Sequence, residues 1–186
     1  MSIQQDEIIH YALSSKNNLE LSIIIGQSYE KLRTALIKDF AKHLEQELKN
    51  FAWDTDFKWW LDTPTKIYTG FTCRRKNWPS QLSILIESQL QSGNYIYGVL
   101  KDKDTLTYKF LINALTNIKG KGKETENWVW YQFLPAKFRD FTDKETLCLL
   151  YEKQEFTDYL ISEIESLGDL IDDVFLEKGV IHERVR

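Results

Sequence analysis

Residues 66–100, KIYTGFTCRRKNWPSQLSILIESQLQSGNYIYGVL, constrain the fold more than any other part of the chain. Three extended runs, Lys66–Arg75, Gln81–Gln89 and Asn94–Lys101, are rich in β-branched and aromatic residues. Turn formers separate them, Asn77-Trp78-Pro79-Ser80 and Ser92-Gly93-Asn94. Such runs joined by short polar turns predict an antiparallel meander. Alternation then assigns faces. Ile67, Phe71, Cys73, Leu82, Ile84 and Ile86 fall on a core face, and Tyr68, Thr72, Arg74, Ser83, Leu85 and Glu87 on the other. There Arg74 and Glu87 are candidates for a cross-strand ion pair. Trp128-Val129-Trp130-Tyr131-Gln132-Phe133, ended by Pro135, predicts a fourth strand.

A small sheet needs a cover, and helical stripes flank this one. Tyr29, Leu32, Leu36, Phe40, Leu44 and Leu48 recur at three- and four-residue steps, the mark of an amphipathic helix over Tyr29–Lys49. At about 20 residues, or ~30 Å, it is long enough to cross the back of the sheet or to offer a homodimer seam. Residues 3–13 predict a short leading helix, and LSIIIG (21–26), which fits a strand or a helical face, is read as helix. FAWDTDFKWWLD (51–62) reads as a strand or loop plugging the junction between helix and sheet. After Lys101-Asp102-Lys103-Asp104, Leu106–Ile118 predicts a helix over the core face. Thr142-Asp143-Lys144-Glu145 has the form of a capping box opening a helix that runs to Gly168, before a last helix over Asp169–Glu177. The expected fold is α+β: a small, mostly antiparallel sheet of about four strands with helices packed on one face. It forms one domain over 1–186, helical in 1–50, sheet in 51–135 and helical again in 136–186.

A chain of 186 residues can bury roughly two-thirds of its unfolded surface without staples. Cys73 and Cys148 have no partner at metal or redox spacing, and both are expected as buried thiols of a reducing compartment. The start, MSIQQDEIIHYAL, lacks a secretory h-region, and no apolar run approaches the ~20 residues that span a bilayer. A cytoplasmic chain with no membrane partner is therefore expected. The net charge of −4 argues against a general nucleic-acid coat, although residues 101–125 carry +3 and residues 137–186 carry −6.

Few motifs carry chemistry. Lys119-Gly120-Lys121-Gly122-Lys123 lacks the GxxxxGK[ST] form and follows a helix, where a P-loop follows a strand. Its lysines can still meet phosphates as point charges. Tyr68, Arg74, Arg75, Lys76 and Trp78 are of the types that stack bases and neutralise backbones, without the order of an RNA-recognition sheet. Asp56-Phe57-Lys58, with Asp54 beside it, and Glu47-Leu48-Lys49 match the (D/E)-x-K pattern of metal-dependent nucleases. Glu165, Asp169, Asp172 and Asp173 read as a solvated acidic face. His10, His43 and His182 stand apart, and no GxSxG elbow occurs.

Between residues 36 and 100, a helix with Ile37-Lys38-Asp39-Phe40 leads through the Trp-rich junction and Phe71 to Trp78, then to an apolar strand with Glu87 and to Tyr97-Gly98-Val99. This pattern resembles the region following the catalytic core in uncharacterised bacterial proteins of the PD-(D/E)XK nuclease superfamily. The resemblance implies an association with DNA processing in a restriction or phage-defence setting. No Pro-Asp precedes either (D/E)-x-K match at a fitting distance, so it carries over no catalytic residue.

The functional expectation is a non-catalytic interaction module without a cofactor, binding a protein partner or nucleic acid. Its contact residues would be Tyr68, Arg74, Arg75, Lys76, Trp78, Lys119, Lys121 and Lys123. The alternative is a divergent nuclease holding a divalent metal with Asp54 and Asp56, with Lys58 as the catalytic lysine.

Overall fold

The computed structural model describes residues 3–89, 94–101 and 109–183. The expected turn residues 92 and 93, the segment 102–104 and the helix start at 106–108 lie outside the described residues. Helix α1 (Ile3–Leu13) leads into α2 (Lys16–Lys49), a helix of 34 residues. Ser15 starts α2 by accepting a hydrogen bond from the Asn18 N–H at 3.2 Å, a side-chain cap. That early cap resolves the LSIIIG segment as helix. Only the second half of α2 enters the core, where Ile37, Phe40, Ala41, Leu44 and Leu48 are buried. Of the stripe expected over Tyr29–Lys49, Phe40, Leu44 and Leu48 are taken up by the chain's own core, while Tyr29 and Leu32 stay exposed and Leu36 is half-buried.

The sheet has five antiparallel strands in sequential order: β1 (Asp54–Asp56), β2 (Gly70–Arg74), β3 (Leu82–Ser88), β4 (Tyr95–Lys101) and β5 (Trp128–Phe133). The strand beyond the expected four is β1, which pairs Asp54 with Arg74 and Asp56 with Thr72. Three residues are too few for alternation to reveal. The β2–β3 register sets Gly70 against Glu87 and Cys73 against Ile84, so Arg74 and Glu87 are not cross-strand neighbours. Ile67 precedes β2 and is exposed, not core. At Gly98, a Cβ would lie 2.2 Å from the Trp130 carbonyl oxygen, so glycine lets β4 and β5 close beside the bulge at Val99/Leu100.

Helices cover the face that carries Phe71, Cys73, Leu82, Ile84, Ile86 and Val99. Trp60, in α3 (Lys58–Asp62), stacks on Phe71 at 5.4 Å and donates its Nε1–H to the Tyr95 hydroxyl at 2.9 Å. Helices α4 (Lys109–Lys119), α5 (Ala136–Arg139), α6 (Lys144–Glu152) and α7 (Gln154–Glu177) complete the layer. The cap of α6 is Asp143, which accepts from the N–H groups of Glu145 and Thr146. Thr142, expected to cap, donates its hydroxyl to Asp140 instead. The expected break at Gly168 falls at Lys153, whose φ of 66° ends α6 while its ammonium reaches Asp39 at 2.6 Å. Cys73 is buried, and Cys148 is exposed on α6, contrary to expectation.

Beyond β2 the chain turns inward. Arg75 is 4 % exposed and donates to Asp172, which is 0 % exposed, and also to Asp169 and Glu165 at 3.1 and 3.2 Å. Trp78 Nε1–H donates to the other Asp172 oxygen at 2.6 Å, and Trp53 Nε1–H donates to Glu165. Arg75 lies over the Trp53 ring at 5.1 Å. Burial works against the Arg75 charge, but the hydrogen bonds to Asp172 and Asp169 and the fields of Asp172 and Glu165 outweigh it and hold its pKa above the ordinary value. Arg75 and Trp78 are therefore structural, which corrects their assignment to a contact surface. Three of the four acids expected on a solvated face, Glu165, Asp169 and Asp172, converge here, and Asp173 stays exposed.

Two substitutions test this lock. Asp172→Ala leaves Arg75 and the Trp78 N–H short of their acceptor and is expected to cost about 3 kcal/mol in urea unfolding. A Cβ at Gly168 would come 2.6 Å from Trp53 Cη2. Gly168→Ala is therefore expected to destabilise by about 1–2 kcal/mol through overpacking, although alanine favours helix by ~1 kcal/mol.

Candidate contact surface on the open sheet face

Strand alternation, corrected for the β4–β5 bulge, turns Thr72, Arg74, Ser83, Leu85, Glu87, Ile96, Leu100, Trp128, Tyr131 and Phe133 away from the helices. Across β3, β4 and β5 this face holds a depression of 720 Å³. Ser83, Leu85, Glu87 and Leu100 form its floor. Tyr68 stands at one side, and the Trp128 and Tyr131 rings, 5.3 Å apart, stand at the other. Lys101, Thr125 and Asn127 close the end near the loop that follows α4.

Local backbone explains the rim. Tyr68 has φ of 59°, a left-handed conformation costly for a bulky residue, and its N–H donates to the Ser88 carbonyl at 2.7 Å. The turn aims a 57 % exposed ring along the open face. On the far side, Lys123 and Tyr131 exchange two backbone hydrogen bonds of 2.9 Å, which hold the loop against β5.

The electrostatics are nearly balanced. Arg74 Nε donates to Asp54 at 3.2 Å, and Lys101 pairs with Glu124 at 3.3 Å. Glu87 takes a hydrogen bond from the Gln89 amide at 2.6 Å. Burial pushes the Glu87 pKa up to about 7, against a small lowering by that bond.

The predicted site residues scatter. Tyr68 is on the rim, Arg74 is on the open face but paired, and Lys76 is exposed on the β2–β3 turn. Lys119, expected in a free basic loop, is half-buried and held by Glu163 of α7 at 2.9 Å, which corrects its assignment. Lys121 and Lys123 are exposed. Asp54 and Asp56 share the outer side of β1. Asp54 is engaged by Arg74, and Asp56 accepts the Lys58 N–H at 3.0 Å. Among the described residues, no group of three or more His, Cys, Asp or Glu is placed to hold a metal ion. No described helix is long and apolar enough to cross a membrane.

Sequence reasoning missed Trp128, Tyr131 and Lys101 as lining residues. The bulge at Val99/Leu100 shifts the β5 register, and a bulge leaves no sign in the sequence. Comparison with protein-family models, curated proteins and solved structures found no match.

The shifted proton on Glu87 gives a measurable signature. A folded-state pKa of about 7 against an ordinary 4.5 means that Glu87 contributes stability present below pH 4.5 and lost as pH rises through 7. Glu87→Gln stays neutral and keeps it. Denaturation from about pH 4 to about pH 8 is expected to show the variant gaining on wild type across that window and levelling above it. A pH-independent difference would show that Glu87 titrates as an ordinary carboxyl.

Proposed function

We propose that this protein is a non-catalytic interaction module that binds a partner protein through the open face of its sheet. One observation carries the reading: a 720 Å³ depression floored by Ser83, Leu85, Glu87 and Leu100 and flanked by Tyr68, Trp128 and Tyr131. Rigid aromatic walls over a small polar and aliphatic floor suit an extended peptide, whose side chains and amides can meet both kinds of group. Nucleic acid is less well served, since a basic groove must track its backbone. Here Arg74 is committed to Asp54 and Lys101 to Glu124, and among the described residues Lys121 and Lys123 are exposed on the neighbouring loop.

Selection from a random peptide-display library, with the full chain as bait, tests this. Selected peptides are expected to bind at least about tenfold more weakly, or ~1.4 kcal/mol, to Leu85→Arg and to Tyr68→Gly. Tyr68→Gly should fold with stability near or above wild type, because glycine accepts the left-handed backbone. Equal affinity for wild type and both variants would sink the reading. So would the absence of peptide binders combined with oligonucleotide binding at about 50 mM salt that Lys121→Glu and Lys123→Glu abolish, an outcome that assigns the surface to nucleic acid.

A further inference from the structure

Among the described residues, the largest gathering of exposed apolar side chains lies away from the sheet, on α1 and the first half of α2. We infer that two copies of this chain associate through this arm, packing their α1–α2 units into a four-helix seam. Eleven apolar side chains between Ile8 and Leu32 are 39–71 % exposed. At roughly 150–200 Å² each, they leave about 1,000 Å² of apolar surface in water. A typical monomer's largest patch is about 300–600 Å², and a standard interface takes about 800 Å² from each partner. Summed over all sides of both helices, the exposed apolar area of the arm is comparable with what one partner gives to a standard interface.

Its geometry requires an enclosing neighbour. Ile23, Ile24 and Ile25 are consecutive and all exposed, so at 3.6 residues per turn they spread over about 200° of the helix. One short helix cannot cover that arc, and a helix apolar on so many sides is normally enclosed. Gly26 follows them inside α2. Nothing lies within 4 Å of where its Cβ would be, so no contact within the chain asks for a glycine there. Glycine costs a helix about 1 kcal/mol relative to alanine, and its use here fits the close approach of a second backbone.

Charge selects the occupant. From Ile8 to Tyr29 the only formal charges are Lys16 and Glu20, which pair with each other at 3.7 Å. Over Ile8–Tyr29 a seam between identical arms therefore brings no unmatched charge into contact, and at its end Glu30 is held by Arg33 at 3.4 Å. A two-fold axis closes such a contact without leaving a free patch. A lipid surface fits less well, because Asp6, Glu7, Glu20 and Glu30 outnumber Lys16 and Lys31 over residues 3–32, where interfacial helices are rich in Lys and Arg.

Sedimentation equilibrium of the full chain at about 50 µM tests the inference. Wild type is expected at twice the chain mass of 22.0 kDa. Ile24→Glu, Ile25→Glu and the uncharged Gly26→Leu are each expected near the single-chain mass, with at least hundredfold weaker association and an unchanged circular-dichroism spectrum. These side chains already face water, so their replacement leaves the core intact. If a glutamate variant loses helix content, Gly26→Leu decides the matter. A monomeric wild type, a variant that stays dimeric, or a monomeric wild type that floats with anionic phosphatidylserine vesicles would each overturn it.

Discussion

A charge taken out of water must be met by charge, and Arg75 is met by three carboxylates from a single helix. Glu165, Asp169 and Asp172 follow one another at four- and three-residue steps, so they project from one side of α7 onto one guanidinium. A buried ion costs several kcal/mol when left uncompensated. Sliding α7 by one turn would carry Asp172 about 5.4 Å from Arg75 and strand both. The contact therefore fixes the register of the helix more than it adds to stability. Phe156, Leu160, Ile164, Leu167, Ile171 and Phe175, all buried on the same helix, are seated over the core by that register.

The lock also shapes the opposite side of the molecule. With the helical layer on one face, the other face can stay wet, as antiparallel sheets permit. Its residues are then released from the demand to be core. This is why Ser83, Glu87 and Thr72 can alternate with Ile84, Ile86 and Phe71. The strained Tyr68 turn is held by its N–H donating to the Ser88 carbonyl and by the Ser88 N–H donating to the Thr69 carbonyl, and it gives this open face its aromatic edge.

Period-based signals in the sequence translated well into structure. The alternation of Leu82, Ile84 and Ile86 and the spacing of Phe40, Leu44 and Leu48 each report a single buried face, and each is core. Signals that depend on a distant partner did not translate. Arg75 and Trp78 look like surface residues of a turn until Asp172, 97 residues from Arg75, is brought beside them. Lys119 looks free until Glu163 arrives from α7. Lys153 is an ordinary helix former whose left-handed backbone emerges only from the packing of α6 and α7. Of the eight expected contact residues, Tyr68 lines the depression, while Arg75, Trp78 and Lys119 are held by α7. The depression needed the bulge to be seen.

The two margins of the sheet complete the picture. One margin is β1, only three residues long, and the other is β5, whose outer backbone at Tyr131 is already engaged by Lys123. A growing fibril or an added strand needs a long row of vacant amides and carbonyls to copy. At these two margins the described residues offer a three-residue strand and a strand already engaged at Tyr131. Contacts made by side chains of the open face can be retuned one substitution at a time without disturbing the ladder beneath.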